Sequence, residues 1–395
     1  MIFFQSLTQS ELADLLRPIG RAKIERHAAS PEDAEKKIAQ RARYRAKQIF
    51  HWVYQRFTFD WDQMTDLSKE LREWLKENIE VYRPPALERR QAADGTVKFL
   101  WELTDRKTVE SVVIPVAARE LELDSETPPE TQSELPDNAE WSRLTACISS
   151  QVGCAMGCKF CLTGIQGLDR NLEVHEIVAQ VLEMRVLAPL TNIVFMGMGE
   201  PLHNLANVIK ASQILLDQDG LNFSKRKVTV STSGLVPAIE ELGRSIDVSL
   251  AISLNATTDE QRTEIMPVNK KWNLASLMAA CRKFPLGSHR RITFEYVLLG
   301  GFNDSLEDAA RLRDLVRGIP CKINLIPFNE HEGSLYRQPS EQRVTAFQKY
   351  LVDHGLTALI RVSRGAEILA ACGQLRSLLA PCRHDLAARI SRNRL

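Results

Sequence analysis

Cys147-Ile-Ser-Ser-Gln-Val-Gly-Cys154-Ala-Met-Gly-Cys158-Lys-Phe-Cys161 is the stretch on which the reading of the whole chain turns. Cys154, Cys158 and Cys161 stand as C-x3-C-x2-C directly after a run, Leu144–Ser149, that reads as a strand. An iron–sulfur cube is ordinarily held by four thiolates, so three in one short loop would leave one iron open to an exogenous ligand. The spacing differs from the C-x2-C runs of bacterial ferredoxins and from paired zinc knuckles. A structural zinc would need a fourth ligand, and His175 is the nearest histidine beyond the loop. Inert buried cysteines are the third reading of the same residues.

Working outward from this loop, strand and helix signals alternate from Leu144 onward. Strands are expected at Leu144–Ser149, Asn192–Met196, Lys227–Ser231, Val248–Leu254, Arg291–Leu298, Lys322–Ile326 and Leu356–Val362. Helical periodicity fills the gaps at Val174–Leu187, Leu205–Leu216, Leu274–Phe284 and Leu306–Val316. Serial βα units predict an α/β fold, a parallel sheet with right-handed crossovers closing into a partial (βα)6-type barrel. Functional residues of such folds gather at the C-terminal ends of the strands.

The flanks read differently. Residues 1–86 are helical: Thr8 and Glu11 have capping-box spacing, Gly20 offers a stop, and Ser30-Pro31 reads as an N-cap with proline in the first turn. The run that follows has an apolar stripe and a face of Lys36, Lys37, Arg41, Arg43, Arg45 and Lys47, either a solvated face or one that meets RNA phosphates. Residues 87–116 read as strands around an Asp94-Gly95 hairpin turn, with Glu110 at the start of the last one. Residues 117–141 form an acidic insertion, 142–380 the barrel core and 381–395 a basic tail carrying Arg383, Arg389, Arg392 and Arg394.

Composition bounds the function. The chain has 395 residues, 44% of them hydrophobic, and 51 Lys+Arg against 50 Asp+Glu, a net charge of +1. That balance gives no direct argument for a nucleic-acid partner. Residues 119–140, however, hold eight acids against one arginine, so the remainder of the chain is net basic. Local basic clusters at Arg43, Arg45 and Lys47, at Lys225–Lys227, at Lys270-Lys271 and at Arg290-Arg291 are each a solvated face or part of a phosphate-tracking surface. Eight cysteines are too dilute for a disulfide scaffold, the N-terminus lacks a signal-peptide pattern, and no apolar run approaches the roughly 18 residues of a membrane span. A cytoplasmic protein is expected, with no membrane attachment.

The cysteine spacing is the signature of the radical S-adenosylmethionine enzymes, and the resemblance goes further. Cys147, seven residues before Cys154, and Arg364-Gly365 followed by Ala370-Ala371-Cys372-Gly373-Gln374-Leu375 resemble the RlmN/Cfr branch, which methylates adenine carbons in RNA. So do Met196-Gly-Met-Gly-Glu-Pro201, Ser224-Lys-Arg226, Ser231-Thr-Ser-Gly234, Ala251-Ile-Ser-Leu254 and Cys321-Lys-Ile-Asn-Leu-Ile-Pro327.

This resemblance implies a [4Fe-4S] cluster on Cys154, Cys158 and Cys161, and S-adenosylmethionine bound by Gly199, Glu200, Ser231, Ser253, Leu254, Asn255 and Asn329. It implies that Cys372 is methylated by one S-adenosylmethionine and that a 5′-deoxyadenosyl radical from a second removes hydrogen from that methyl group. The resulting methylene radical adds to an adenine carbon. Cys147 then takes the proton from the modified carbon and releases the product as a disulfide forms with Cys372. Glu110 matches a carboxylate treated in the family as a possible proton acceptor; an ordinary strand-end glutamate is the other reading.

The implied substrate is C2 of an adenosine in the peptidyl-transferase region of 23S rRNA, and the adenosine 3′ of the tRNA anticodon. An electron donor such as flavodoxin and a monomeric enzyme complete the expectation. Methylation at C8 of the same rRNA adenosine is the nearest alternative; a radical enzyme acting on a small molecule or peptide is one of another class. One position departs from the family: Asn255 stands where a histidine is usual, keeping hydrogen-bonding capacity without titration near neutrality. Cys281, Cys321 and Cys382 match no functional position.

Overall fold

In the computed structural model, residues 1–116, 143–287, 289–331 and 334–376 are described. The acidic insertion at 119–140, Cys382 and the basic tail at 381–395 lie outside them.

Two compact units share the chain. The first gathers Met1–Pro84 with Glu173–Leu187 and Ala206–Ser224. Its local signals are met where they are purely local: the Thr8 side chain accepts from Glu11 N–H while Glu11 reaches back to the Thr8 backbone. Ser30 caps the helix Pro31–Phe50, which continues into a π turn at His51–Gln55. Phe4, Phe50, Tyr54 and Trp61 pack as tilted and edge-on aromatic pairs at the centre of this unit. Strands β1 (Ile2–Phe3) and β2 (Ile79–Glu80) pair in parallel. Phe3 stacks on His175 of the crossover helix Val174–Leu187, whose ring centroid lies 4.2 Å away. Arg45 corrects the sequence reading: instead of joining the basic outer face it is buried, donating to Ile19 O at 3.0 Å.

The second unit holds Pro85–Leu172, Ala188–Leu205 and Lys225–Leu395. The antiparallel strands β3 (Ala86–Gln91), β4 (Val97–Glu102) and β5 (Thr108–Val116) lead into β6 (Arg143–Cys147). After the cysteine loop and its small antiparallel pair β7 (Gln151–Gly153) and β8 (Leu168–Asn171), the strands run β9 (Asn192–Phe195), β10 (Val228–Thr232), β11 (Ser249–Ser253), β12 (Ile292–Leu298), β13 (Cys321–Pro327) and β14 (Ala358–Ile360). The sheet order is β14-β13-β12-β11-β10-β9-β6-β5-β4-β3, parallel from β6 through β14 and open between its edges. This is the α/β parallel architecture expected of the fold class, extended by an antiparallel flank. The parallel strands turn one apolar face into the core, with Ile193, Val230, Phe294 and Leu325 all fully buried, while Ser231, Ser253, Glu295 and Asn324 lie on the other face.

Candidate active site

The cysteine loop is shaped by its neighbours in sequence. β6 ends at Cys147, and the β7–β8 pair is closed by Cys154 N–H donating to Gly167 O at 3.0 Å. Gly153 has φ +76°, and a Cβ there would stand 1.8 Å from Gly167 O, so only glycine lets the chain turn into the cysteine run. Past Cys161, the short helix Leu162–Gln166 returns the chain to β8.

Beyond the C-terminal ends of the parallel strands lies a cavity of about 180 Å³. Cys154, Cys158 and Cys161 border it. So do Gly199, Glu200, Ser231, Ser253, Asn255, Asn329 and Cys372. These residues come from the cysteine loop, from the turn after β9, from the ends of β10, β11 and β13, and from the C-terminal segment. Three candidates do not border the cavity. Leu254 is fully buried and contributes through its backbone, N–H donating to Glu295 O at 3.0 Å and carbonyl accepting from Arg262 Nε at 3.1 Å. Cys147 lies buried beside the cavity wall, with Met196 N–H directed at its sulfur and the Cys372 thiol within electrostatic range. Glu110 is buried as the third residue of β5; its Oε1 pairs with Lys98 Nζ at 2.9 Å, and its Oε2 accepts from Arg376 N–H at 2.8 Å.

The turn after β9 is held tightly. Gly199 has φ +100°, and a Cβ would lie 2.5 Å from Gln151 Cβ. Glu200 N–H donates to Gln151 Oε1 at 2.8 Å. The Glu200 carboxylate accepts from Leu202 N–H at 3.0 Å and from Ser233 N–H at 2.7 Å, which fixes an acidic group at the cavity edge. Burial still holds its pKa above the ordinary carboxylate value, against those hydrogen bonds. Such a carboxylate suits a cationic ammonium partner.

Asn255 carries φ +57°, a left-handed conformation that asparagine tolerates better than most residues. Its Oδ1 accepts from Val297 N–H at 2.8 Å, and its backbone carbonyl accepts from Asn303 Nδ2 at 2.7 Å. The side chain thus ties β11 to β12 at the cavity.

The thiols differ in setting. Burial and the neighbouring Cys161 and Glu200 push Cys154 up to about 12, and burial with Cys161 and Cys154 raises Cys158 well above the usual thiol value. Three thiols lining one cavity, with Cys154 and Cys158 held in their protonated form by burial, make a donor set that a cationic centre would satisfy, since metal coordination deprotonates a thiol outright. Among the described residues no three Cys, His, Asp or Glu converge as they would around one metal ion. Cys372 is exposed and open to the cavity; desolvation by the protein around it, with Glu295 and Cys161, pushes it up to about 11. Cys147 and Cys372 are both free thiols. Cys281 is buried in the helix Leu274–Lys283, and Cys321 starts β13, at the end of that strand away from the cavity.

Two residues escaped the sequence reading. Glu295 borders the cavity from β12, buried, accepting from Asn324 Nδ2 at 2.8 Å. A lone acid inside the apolar run Ile292–Leu298 was the available signal, because a strand covered on both faces has no solvent for a carboxylate. Arg262 is fully buried and donates to Ser233 O, Ser253 O, Leu254 O and Asn269 Oδ1 at 2.6–3.2 Å. It gave no signal, since an arginine in the polar helix Asp259–Ile265 reads as solvated.

Comparison with known proteins agrees with this geometry. Residues 148–313 match the model of the radical SAM superfamily, and residues 37–81 that of the ribosomal RNA large subunit methyltransferase N-terminal domain. The dual-specificity RNA methyltransferase RlmN of Geobacter sulfurreducens is 55% identical over 339 residues, 85% of this chain and 87% of that protein. Its namesake from Syntrophotalea carbinolica is 51% identical, covering 85% of each chain. The crystal structure of a radical SAM methyltransferase from Sphaerobacter thermophilus superimposes with a TM-score of 0.77 at 39% identity, over 95% of this chain and 99% of that one. Such identity over most of both chains leaves one conclusion: this chain belongs to the RlmN family of radical SAM RNA methyltransferases.

Proposed function

We propose that this enzyme methylates C2 of an adenosine in the peptidyl-transferase region of 23S rRNA, and of the adenosine 3′ of the tRNA anticodon, through an S-methylated Cys372. The observation that carries the reading is one cavity bordered both by Cys154, Cys158 and Cys161 and by the accessible Cys372, with Cys147 in electrostatic range of the Cys372 sulfur. Nothing in an ordinary metal site calls for two further free thiols beside it.

Cys154, Cys158 and Cys161 would hold a [4Fe-4S] cluster, and Gly199, Glu200, Ser231, Ser253, Leu254, Asn255 and Asn329 the S-adenosylmethionine. When bound, the pair supplies a methyl group, one electron and a hydrogen-abstracting 5′-deoxyadenosyl group. Cys372 carries the methyl group and, once activated, joins it to the adenine carbon. An aromatic carbon is too weak a nucleophile to take a methyl group by simple displacement, which is why a protein-borne carrier is needed. Cys147 moves the proton from that carbon to the methylene group as the S–C bond to Cys372 breaks and the two sulfurs join, the one surplus electron passing to the electron carrier, and the methylated base is released; its electrostatic coupling to the Cys372 thiol supports this role. Glu200 orients the cofactor's ammonium group.

The target adenine must leave its stack to reach Cys372. An electron donor of the flavodoxin kind, a cytoplasmic setting and a monomeric enzyme follow from the same reading. No helix among the described residues is long and apolar enough to cross a membrane.

Nucleoside mass spectrometry of rRNA and tRNA from cells with and without the gene tests the proposal. Gene-dependent 2-methyladenosine is the expected product, whereas 8-methyladenosine in its place would overturn the C2 assignment. Full product from the Cys372→Ala enzyme would overturn the carrier role.

A further inference from the structure

The segment that carries Cys372 has almost no regular structure of its own. From Gly365 to Arg376 it contains one short 3-10 turn, Ala366–Ile368, bracketed by left-handed residues. Gly365 has φ +63° and Leu369 φ +55°, and the second is unfavourable for a leucine. Such a conformation persists only where surrounding contacts over-determine it.

Those contacts come largely from the β3–β4 hairpin and β5. At one end, Asp94 Oδ2 in the hairpin turn accepts from Gly365 N–H at 2.9 Å, and Glu367 Oε1 reaches back to Ala93 N–H at 2.6 Å. A Cβ on Gly365 would meet Thr96 Cγ2 at 2.8 Å, so the segment lies directly on the turn. In the middle, Lys98 Nζ donates to Leu369 O at 3.2 Å, anchoring the strained residue itself. At the far end, Glu110 Oε2 accepts from Arg376 N–H at 2.8 Å. On the cavity side, Leu162 N–H donates to Gly373 O at 2.7 Å and Thr163 Oγ1 to Leu375 O at 2.6 Å.

The Lys98–Glu110 pair makes the arrangement informative. Both side chains are buried, and a buried ion pair recovers its desolvation cost only when its remaining hydrogen-bonding capacity is filled. Here the Cys372 segment supplies what fills it, a carbonyl for the ammonium and an N–H for the carboxylate. We propose that Asp94, Lys98 and Glu110 are positioning residues, a clasp on the hairpin that holds the Cys372 segment against the cavity. Glu110 thereby acts on the methyl carrier through the backbone of Arg376. This inference rests on the carrier role given to Cys372 above.

Hydrogen–deuterium exchange on the cluster-loaded enzyme tests it, with Asp94→Ala and Glu110→Ala compared with wild type. Peptides covering 365–376 should exchange at least about tenfold faster in both variants. Peptides covering β11 and β12 should be unchanged. Methylation kcat should fall while KM for an rRNA fragment holds, and Glu110→Gln, whose amide oxygen can still accept from Arg376, should recover most of the protection. Unchanged exchange of 365–376 in Asp94→Ala overturns the clasp, as does acceleration spread evenly across the sheet. Should Glu110→Ala fail to fold, Asp94→Ala decides alone, because its side chain lies in a partly exposed turn. A Cys372→Ala enzyme that still forms product would remove the carrier role while leaving the exchange result standing, so the two failures are told apart.

Discussion

One border of the cavity is made of strand ends, the other of an irregular segment, and the two are held by different means. At the strand ends, regular parallel pairing sets the backbone, and the fully buried Arg262 gathers the carbonyls of Ser233, Ser253 and Leu254 into one knot. Asn255 adds a bond from β11 to β12. Along 365–376 the backbone has no ladder to follow, and its placement depends on single bonds to the hairpin and the cysteine loop. The difference suits the chemistry proposed for each. Cofactor contacts profit from a rigid frame, and the proposed carrier thiol depends on the few bonds that hold its irregular segment at the cavity.

The comparison can be broken most sharply at Arg262. Replacing it with methionine removes four hydrogen bonds from a buried site, those to Ser233 O and Ser253 O among them, and the expected loss of stability is on the order of 3–5 kcal/mol. A lowered denaturant midpoint with an unchanged slope would register it. A loss as small as that of an exposed arginine would mean the strand ends hold without their knot.

Asn255→Ala should cost less, about 2 kcal/mol, from a left-handed alanine and an unpaired Val297 N–H. The same melts measure it, and Asn255→His tests whether the family's usual residue can make the Val297 bond. Gly365→Ala acts on the other border. Its Cβ meets Thr96 at 2.8 Å, and we expect about 1–2 kcal/mol of destabilisation with a larger loss of methylation than that figure explains. Parallel melting and turnover assays check the divergence. Equal and proportionate losses would erase the contrast between the two borders.

The smallest effect concerns the thiols themselves. Because the thiolate is the reactive form and Cys372 is pushed up to about 11, its alkylation should climb about tenfold per pH unit from neutrality, well past the point where a free cysteine levels off. Glu295→Gln removes one of the charges opposing ionisation and should speed the reaction at a given pH. Cys147, buried and raised further by the nearby Cys372 thiol, should react more slowly throughout. Peptide mass spectrometry resolves the two sites, and a plateau near pH 9 for Cys372 would show that its surroundings leave the thiol unperturbed.

How much of this was legible beforehand depends on the range of the interaction. The Thr8–Glu11 capping box, the Ser30-Pro31 helix start and the crossover helices Val174–Leu187 and Leu205–Leu216 match because each is fixed by neighbours a few residues away. Strand ends came out within a few residues for the same reason. Arg45 misled because helical periodicity alone does not say what the opposite face meets, and Ile19 O was waiting there. Glu110 looked like the start of a strand, but its meaning comes from Lys98 one strand away and from Arg376 near the end of the described chain.

The sequence by itself determined the chemistry available: three thiols at loop spacing, two more at defined positions, a glycine-rich turn ending in Glu200, and the βα order that sends them to one end of a sheet. Covalent spacing and short-range periodicity suffice for that. Only the tertiary structure decided which groups share the cavity, that Glu295 joins them, that Arg262 knots the strand ends and that the hairpin grips the Cys372 segment. Those facts depend on contacts between residues far apart in the chain, whose hydrogen bonds are set by packing and leave no periodic trace in the sequence.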